Sequence, residues 1–383
     1  MILLRRVLVA VCLTLIVLFA IRQVHDAIAT PAKGLDFGPM RDAALALVHG
    51  RAIYSNPRFV YPPTAAIALL PLTIGAEAGA VNAWLILCTI AVAVAGLLSM
   101  APCRRGIWVL AAVLAAALLV RSDTLTDSLW IGNVSLLLAP AAVGVLLLFE
   151  SERWRAGSAL LVVSLLIKPV LIPLVLLPLL RGQWRTILEA AICGCVALAL
   201  AIVFVPGGGH FFAVLRFLEN GGTLKGQAAV YNVSIRGLAE RLGDGTWGTA
   251  ARVIVVALTA MLAYRFARRP LRSGDVASLG ALLLLALLLA GSLTEDHYLL
   301  VVAPCLLLAL ALRSEPGALV LALPGLALFA FPARYIGSPA TSPAGLQVRF
   351  VLAELALGAA AALFVARPAG PSPPSALPHP IAG

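Results

Sequence analysis

Two charged side chains stand where a reaction could use them. Asp36 follows the first apolar run and opens Asp36-Phe37 ahead of an amphipathic stretch, Met40–Gly50. A carboxylate there has two readings: it caps the stretch that follows, or it is a general base held near a bilayer surface. Lys168 lies inside an apolar segment and is followed at once by Pro169. An ammonium in such a segment is costly and needs a partner. It either snorkels to an interface or awaits a lipid phosphate, for which broken helix ends beside it would add donors.

Other candidates are less distinctive. The segment after Met40–Gly50 carries Tyr54, Asn56, Arg58, Phe59 and Tyr61-Pro62-Pro63. Asn133, after Gly132, caps a span or lines its mouth. Asn232 lies in an amphipathic stretch, Tyr231–Leu238, which also reads as an interfacial helix. Both asparagines begin Asn-Val-Ser triplets, a weak sequon signal. The turn Thr294–Tyr298 offers Glu295, Asp296 and His297, but without the spaced ligand set that a metal needs, so neither a metal nor another cofactor is expected. Arg334-Tyr335 would clamp a phosphate or stack on a sugar, or else anchor a span at the interface. The six cysteines form no CxxC pair, which argues against zinc and structural disulfides.

The elements that position these groups follow from composition. Of 383 residues, 62% are hydrophobic and 12% charged. A soluble domain runs about 45–50% apolar and about 25% charged, so the chain is an all-α polytopic membrane protein. Its net charge of +11 lies in short arginine clusters beside apolar runs, which is the positive-inside pattern and not a nucleic-acid footprint. Ten spans are expected, at 3–21, 79–101, 107–121, 129–149, 186–205, 248–266, 277–293, 298–312, 317–331 and 347–366. The segment 157–180 is interrupted by Lys168-Pro169, Pro173 and Pro178 and has basic flanks at both ends. It reads as two half-helices that enter from the cytosol, meet at Lys168 and return. Such a break is tolerated where it is buried in protein or lines a cavity. Thr64–Ile74 is too short to span. With this parity most acids, His and Tyr fall on the extracytoplasmic side. Residues 1–366 read as one transmembrane domain and 367–383 as a Pro-rich, disordered cytosolic tail.

The order of motifs resembles glycosyltransferase family 87, which uses polyprenyl-phosphate sugars. The likeness rests on Asp36-Phe37, Ile53-Tyr54, Tyr61-Pro62-Pro63, Gly132-Asn133, Lys168-Pro169 and Gln183-Trp184-Arg185, and covers roughly residues 34–300. Leu166–Pro173 and the run up to Arg185 are most similar to the family's branching arabinofuranosyl transferases. The resemblance implies a GT-C bundle of about ten spans plus the broken hairpin and interfacial helices, with an extracytoplasmic site in a bacterial plasma membrane. It implies a metal-independent inverting transferase with Asp36 as base. The implied donor is decaprenyl-phosphate-arabinofuranose, with polyprenyl-phosphate-mannose as the alternative, and the acceptor is a polysaccharide or glycolipid. Lys168, backed by Arg334 or Arg58, would hold the donor phosphate. Tyr54, Tyr61, Asn133, Asn232, Glu295, His297 and Tyr335 would line the substrates. The chain departs from the family pattern at Arg41-Asp42, at Asp296–Tyr298 and in the short loop Phe331–Tyr335, which bears on the acceptor and the sugar. A lipid-linked-sugar transporter is a further alternative, although it would need a polar path through both leaflets.

Overall fold

The computed structural model describes residues 2–29, 34–102, 117, 119–120, 122–219, 232–242, 245–270, 273–291, 294–313, 325 and 343–366. Every regular element among them is helical. In chain order these are α1 Ile2–Ala29, α2 Phe37–Val48, α3 Pro63–Ala68, α4 Glu77–Met100, α5 Asp123–Ile131 and α6 Ser135–Glu150. Then come α7 Trp154–Ile167, α8 Leu176–Leu180, α9 Trp184–Phe204, α10 Phe211–Glu219 and α11 Ile235–Arg241. The last are α12 Gly245–Arg268, α13 Asp275–Ala290, α14 Leu299–Arg313 and α15 Pro343–Ala366.

Three of these are long and apolar enough to cross a membrane by themselves: Glu77–Ser99, Trp184–Phe204 and Thr246–Arg268. The spans expected in α6, α13 and α14 fall on apolar helices of 15 to 16 residues, shorter than the roughly 20 residues of an untilted crossing. The runs 107–121 and 317–331 lie almost wholly outside the described residues, as do 367–383 and Arg334-Tyr335. A polytopic helical bundle is therefore observed, while the figure of ten spans goes beyond it.

Helices α6, α13 and α14 form the centre. α13 is buried around almost its whole circumference, as expected of a helix apolar on every face. It packs on α6, α14 and α15, and α6 packs on α4, α7 and α14. A Cβ on Gly280 would stand 2.4 Å from Leu146 Cδ2, so glycine is what lets α13 approach α6 so closely. α9 turns Leu188, Ile192, Val196 and Leu200 outward and α12 turns Val253, Ile254, Val256 and Met261 outward. These exposed stripes suit a hydrocarbon solvent, not water.

The hairpin 151–181 shows how the bundle delivers Lys168. At one end Glu150 accepts hydrogen bonds from the N–H groups of Gly274 (3.1 Å) and Ala277 (2.8 Å). At the other, Arg181 donates to the carbonyls of Phe266 (3.3 Å) and Arg269 (2.9 Å). Arg269 and Arg313 in turn pair with the buried Asp275, at 2.9 and 2.6 Å. Both hairpin ends therefore meet the start of α13, on one face of the bundle, as the basic flanks require. The 14 residues of α7 rise about 21 Å, nearly the length of α6. The break consequently stands level with the start of α6, at the Asp36 end. Lys168 is extended there (φ −157°, ψ 129°), and a 3-10 segment, Pro169–Val175, begins the return. Pro169 enforces the stop by disfavouring helical backbone at the residue before it.

Candidate active site

Asp36 occupies the N-cap position of α2 but makes no side-chain cap hydrogen bond. Its carboxylate is turned instead to the start of α6. The backbone fixes that placement: Gly34 N–H donates to Trp130 O (2.7 Å) and Asp36 N–H to Ile131 O (2.8 Å). Gly132 ends α5 in the left-handed region (φ 75°), and its carbonyl accepts from Trp84 Nε1 at 2.8 Å. A Cβ on Gly132 would lie 3.3 Å from Phe37 Cβ and 3.4 Å from Gly34 Cα. Gly132→Ala is therefore expected to cost about 1–2 kcal/mol from backbone strain alone and to spread the Asp36 and Asn133 segments. Thermal unfolding of the purified variant measures the first effect and its transfer rate the second.

Asn133 joins the two charged groups. Its Nδ2 donates to Asp36 Oδ2 at 2.6 Å, and its Oδ1 accepts from Lys168 Nζ at 3.1 Å and from Ser135 N–H at 2.9 Å. The amide can satisfy a carboxylate and an ammonium together only in this orientation. Lys168 Nζ also donates to Ser135 Oγ at 2.8 Å. It lies 4.7 Å from the Tyr298 ring centroid and 5.6 Å from that of Tyr61, a partial aromatic cage of the kind that holds cations.

The segment carrying Tyr61 is locked against the break. Thr64 Oγ1 donates to the Leu166 carbonyl, and Tyr54 Oη donates to the Tyr61 carbonyl at 2.8 Å. The Tyr54, Phe59 and Tyr61 rings follow one another at 5.5 Å spacings. Arg58 is exposed, yet its charge acts on Asp36. On the other side, Glu295 Oε2 lies 3.2 Å from Nδ1 of the buried His297, whose ring is 4.4 Å from that of Tyr298. Asn232 pins this turn from beneath: its Oδ1 accepts from the N–H groups of Thr294 (3.0 Å) and Ser234 (3.1 Å). Among the described residues no three His, Cys, Asp or Glu side chains gather as a metal-binding group.

Burial sets the protonation pattern. It pushes the Asp36 carboxyl above the ordinary aspartate range, and the charge of Lys168, the Asn133 hydrogen bond and Arg58 offset this only in part. Burial also raises the Glu295 carboxyl, against the pull of Lys168. Burial and then Lys168 hold the His297 imidazole well below its usual value, so it is neutral at neutral pH. An aspartate that acts as base must be ionised. Activity should therefore rise with pH through a value above the ordinary 3.9 or so and be lost below it. Asn133→Asp would set a second carboxylate against Asp36. The acid limb of kcat/KM is then expected to move up by about one pH unit or more. A pH–rate profile that did not shift would break the link between Asn133 and Asp36.

A family model of glycosyltransferase family 87 matches residues 59–293. The chain belongs to glycosyltransferase family 87. The matched region of this family 87 member includes Tyr61, Asn133, Lys168 and Asn232, while Asp36 and Glu295 lie outside it. The chain is 29% identical over 293 residues to an alpha-(1->3)-arabinofuranosyltransferase of Mycobacterium tuberculosis (strain ATCC 25618 / H37Rv), covering 71% of this chain. It is 25% identical over 296 residues to an alpha-(1->3)-arabinofuranosyltransferase of Corynebacterium glutamicum, covering 73% of this chain. The matches span 65% and 68% of the relatives' own lengths. No solved structure matches the chain.

The geometry brings together Asp36, Asn133, Lys168, Tyr61, Glu295 and His297. Tyr54 and Asn232 stand behind them, bonded to the backbone that carries Tyr61 and the 294–298 turn. Ser135, Thr64 and Tyr298 belong to the same cluster without having been singled out as candidates. For Ser135 the only signal was its place in the Asn133-Val134-Ser135 triplet, whose two polar ends both reach Lys168.

Proposed function

We propose that this chain transfers arabinofuranose from decaprenyl-phosphate-arabinofuranose to a cell-wall arabinan, making alpha-1,3 branches on the extracytoplasmic face of a bacterial plasma membrane. The observation that carries this reading is a half-buried, proton-hungry carboxylate and a lysine ammonium held on the two ends of one amide. That is the equipment for displacing a phosphate leaving group with a hydroxyl nucleophile. Membership of family 87 supports a glycosyl transfer, and the names of the two relatives support the arabinofuranosyl group and the alpha-1,3 linkage.

In this mechanism Asp36 takes the proton of an acceptor hydroxyl. The acceptor oxygen attacks the anomeric carbon on the face opposite the phosphate, and the bond from that carbon to the phosphate oxygen breaks. The configuration inverts, and polyprenyl phosphate leaves as an anion that needs charge stabilisation but no general acid. Lys168 supplies that charge, with Arg58 and Arg334 as the supporting cations. The prenyl chain lies in the bilayer between helices, within a GT-C bundle formed by residues 1–366.

Polyprenyl-phosphate-mannose is the alternative donor, because the chain departs from the family pattern around Asp296–Tyr298. A transporter of lipid-linked sugars is less well supported, since the groups of the candidate site converge at one end of the bundle, away from the Asp275 cluster at the other. Membranes containing the chain should be incubated with radiolabelled decaprenyl-phosphate-arabinose and polyprenyl-phosphate-mannose in parallel. Label in polysaccharide from the first donor alone is expected. Label from the second alone would change the sugar but leave the mechanism, and label moved across the bilayer without transfer would point to transport.

A further inference from the structure

His297 is 0% exposed. Neither ring nitrogen makes a hydrogen bond among the described residues, although Nδ1 lies 3.2 Å from Glu295 Oε2. Buried polar atoms are nearly always paired, and an orphan costs stability unless a ligand completes it. The ring lies against Tyr298, whose own ring faces Lys168, so the orphan nitrogen belongs to the same site as the phosphate-binding cation. Burial raises the Glu295 carboxyl, and the nearby Lys168 charge pulls the other way. Beside a carboxylate oxygen, which only accepts, the imidazole proton is favoured on Nδ1, and Nε2 is then left with a lone pair. A phosphate oxygen at neutral pH has no proton to give it, whereas a sugar hydroxyl does.

We propose that His297 is a specificity-determining residue whose Nε2 accepts a hydrogen bond from one sugar hydroxyl of the bound donor or acceptor. Phosphate and hydroxyl recognition are thereby divided between Lys168 and the Glu295–His297 pair, with Glu295 fixing the tautomer. This inference rests on the transferase reading above and deepens it.

The test crosses protein variants with substrate analogues. Wild type, His297→Phe and His297→Gln are assayed with polyprenyl-phosphoryl arabinofuranose and its 2-, 3- and 5-deoxy and deoxyfluoro forms. The same enzymes are assayed with a synthetic arabinofuranosyl disaccharide acceptor and its monodeoxy forms. If wild type transfers only mannose, the series is built on mannose. Wild type should lose roughly tenfold in kcat/KM on one deoxy analogue. His297→Phe should lose the same factor on the parent substrate and nothing more on that analogue. The matching deoxyfluoro form should behave like the deoxy form, because fluorine cannot donate. Whether the analogue belongs to the donor or the acceptor series identifies the substrate that is read.

His297→Gln retains an acceptor and should stay within about threefold of wild type on the parent substrate; it carries the test if thermal unfolding shows the Phe variant destabilised. Equal losses for every analogue in wild type and variants would overturn the proposal, as would a deoxyfluoro form that reacts like the parent. A wild-type chain that transfers no sugar would instead overturn the transferase reading itself.

Discussion

Replacing Asp36 with asparagine is expected to lower transfer by about a thousandfold while leaving the fold and donor binding nearly intact. The reasons are local. The Asp36 carboxylate does not cap α2, so that helix loses no support. Asparagine keeps a side-chain oxygen able to accept from Asn133 Nδ2, so the link to Lys168 survives. What disappears is the capacity to take a proton, at a carboxylate that burial has made more basic and the Asn133 amide has aimed. Initial rates, donor binding to purified protein and thermal unfolding separate these effects. Turnover at the wild-type rate would remove Asp36 from the chemistry.

Lys168→Met should raise the Kd for the lipid donor by roughly 10- to 100-fold, the range of a lost charge-assisted hydrogen bond. It should also move the acid limb of the rate profile upward, because the Lys168 charge is the largest influence lowering the Asp36 carboxyl. The second effect sets an electrostatic role apart from simple loss of packing. Lys168→Arg should not rescue fully. A compact ammonium fits between Asn133 Oδ1, Ser135 Oγ and two tyrosine rings, and a planar guanidinium has a different shape and hydration. Unchanged donor affinity in Lys168→Met would contradict the assignment.

Much of this site could be read from the sequence because charge is so scarce in it. With few ionisable groups near apolar segments, Asp36 and Lys168 stood out by type and position, and Pro169 announced the break that exposes Lys168. What could not be read was the level at which that break would stand. This depends on α7 rising almost as far as α6, which brings Lys168 to Asn133 across 35 residues of chain. The supporting contacts were hidden for the same reason. Ser135 looked like part of a weak sequon, Thr64 like the start of a short apolar piece, and Tyr54 like a substrate contact, though its hydroxyl holds the Tyr61 carbonyl. Asn232 and Asn133 begin identical triplets and make the same turn back to the serine N–H. What the fold brings to the amide oxygen differs: the Thr294 N–H at Asn232 and a charged lysine at Asn133.

The most direct test is transfer by the purified chain in liposomes, using radiolabelled decaprenyl-phosphate-arabinose and an arabinan acceptor, with the Asp36→Asn variant beside the wild type. Labelled arabinan and released decaprenyl phosphate are expected in equal amounts from the wild type. The variant should bind the donor with near wild-type affinity and form almost no product. Equal product from both proteins, or donor moved across the bilayer with its sugar still attached, would contradict it.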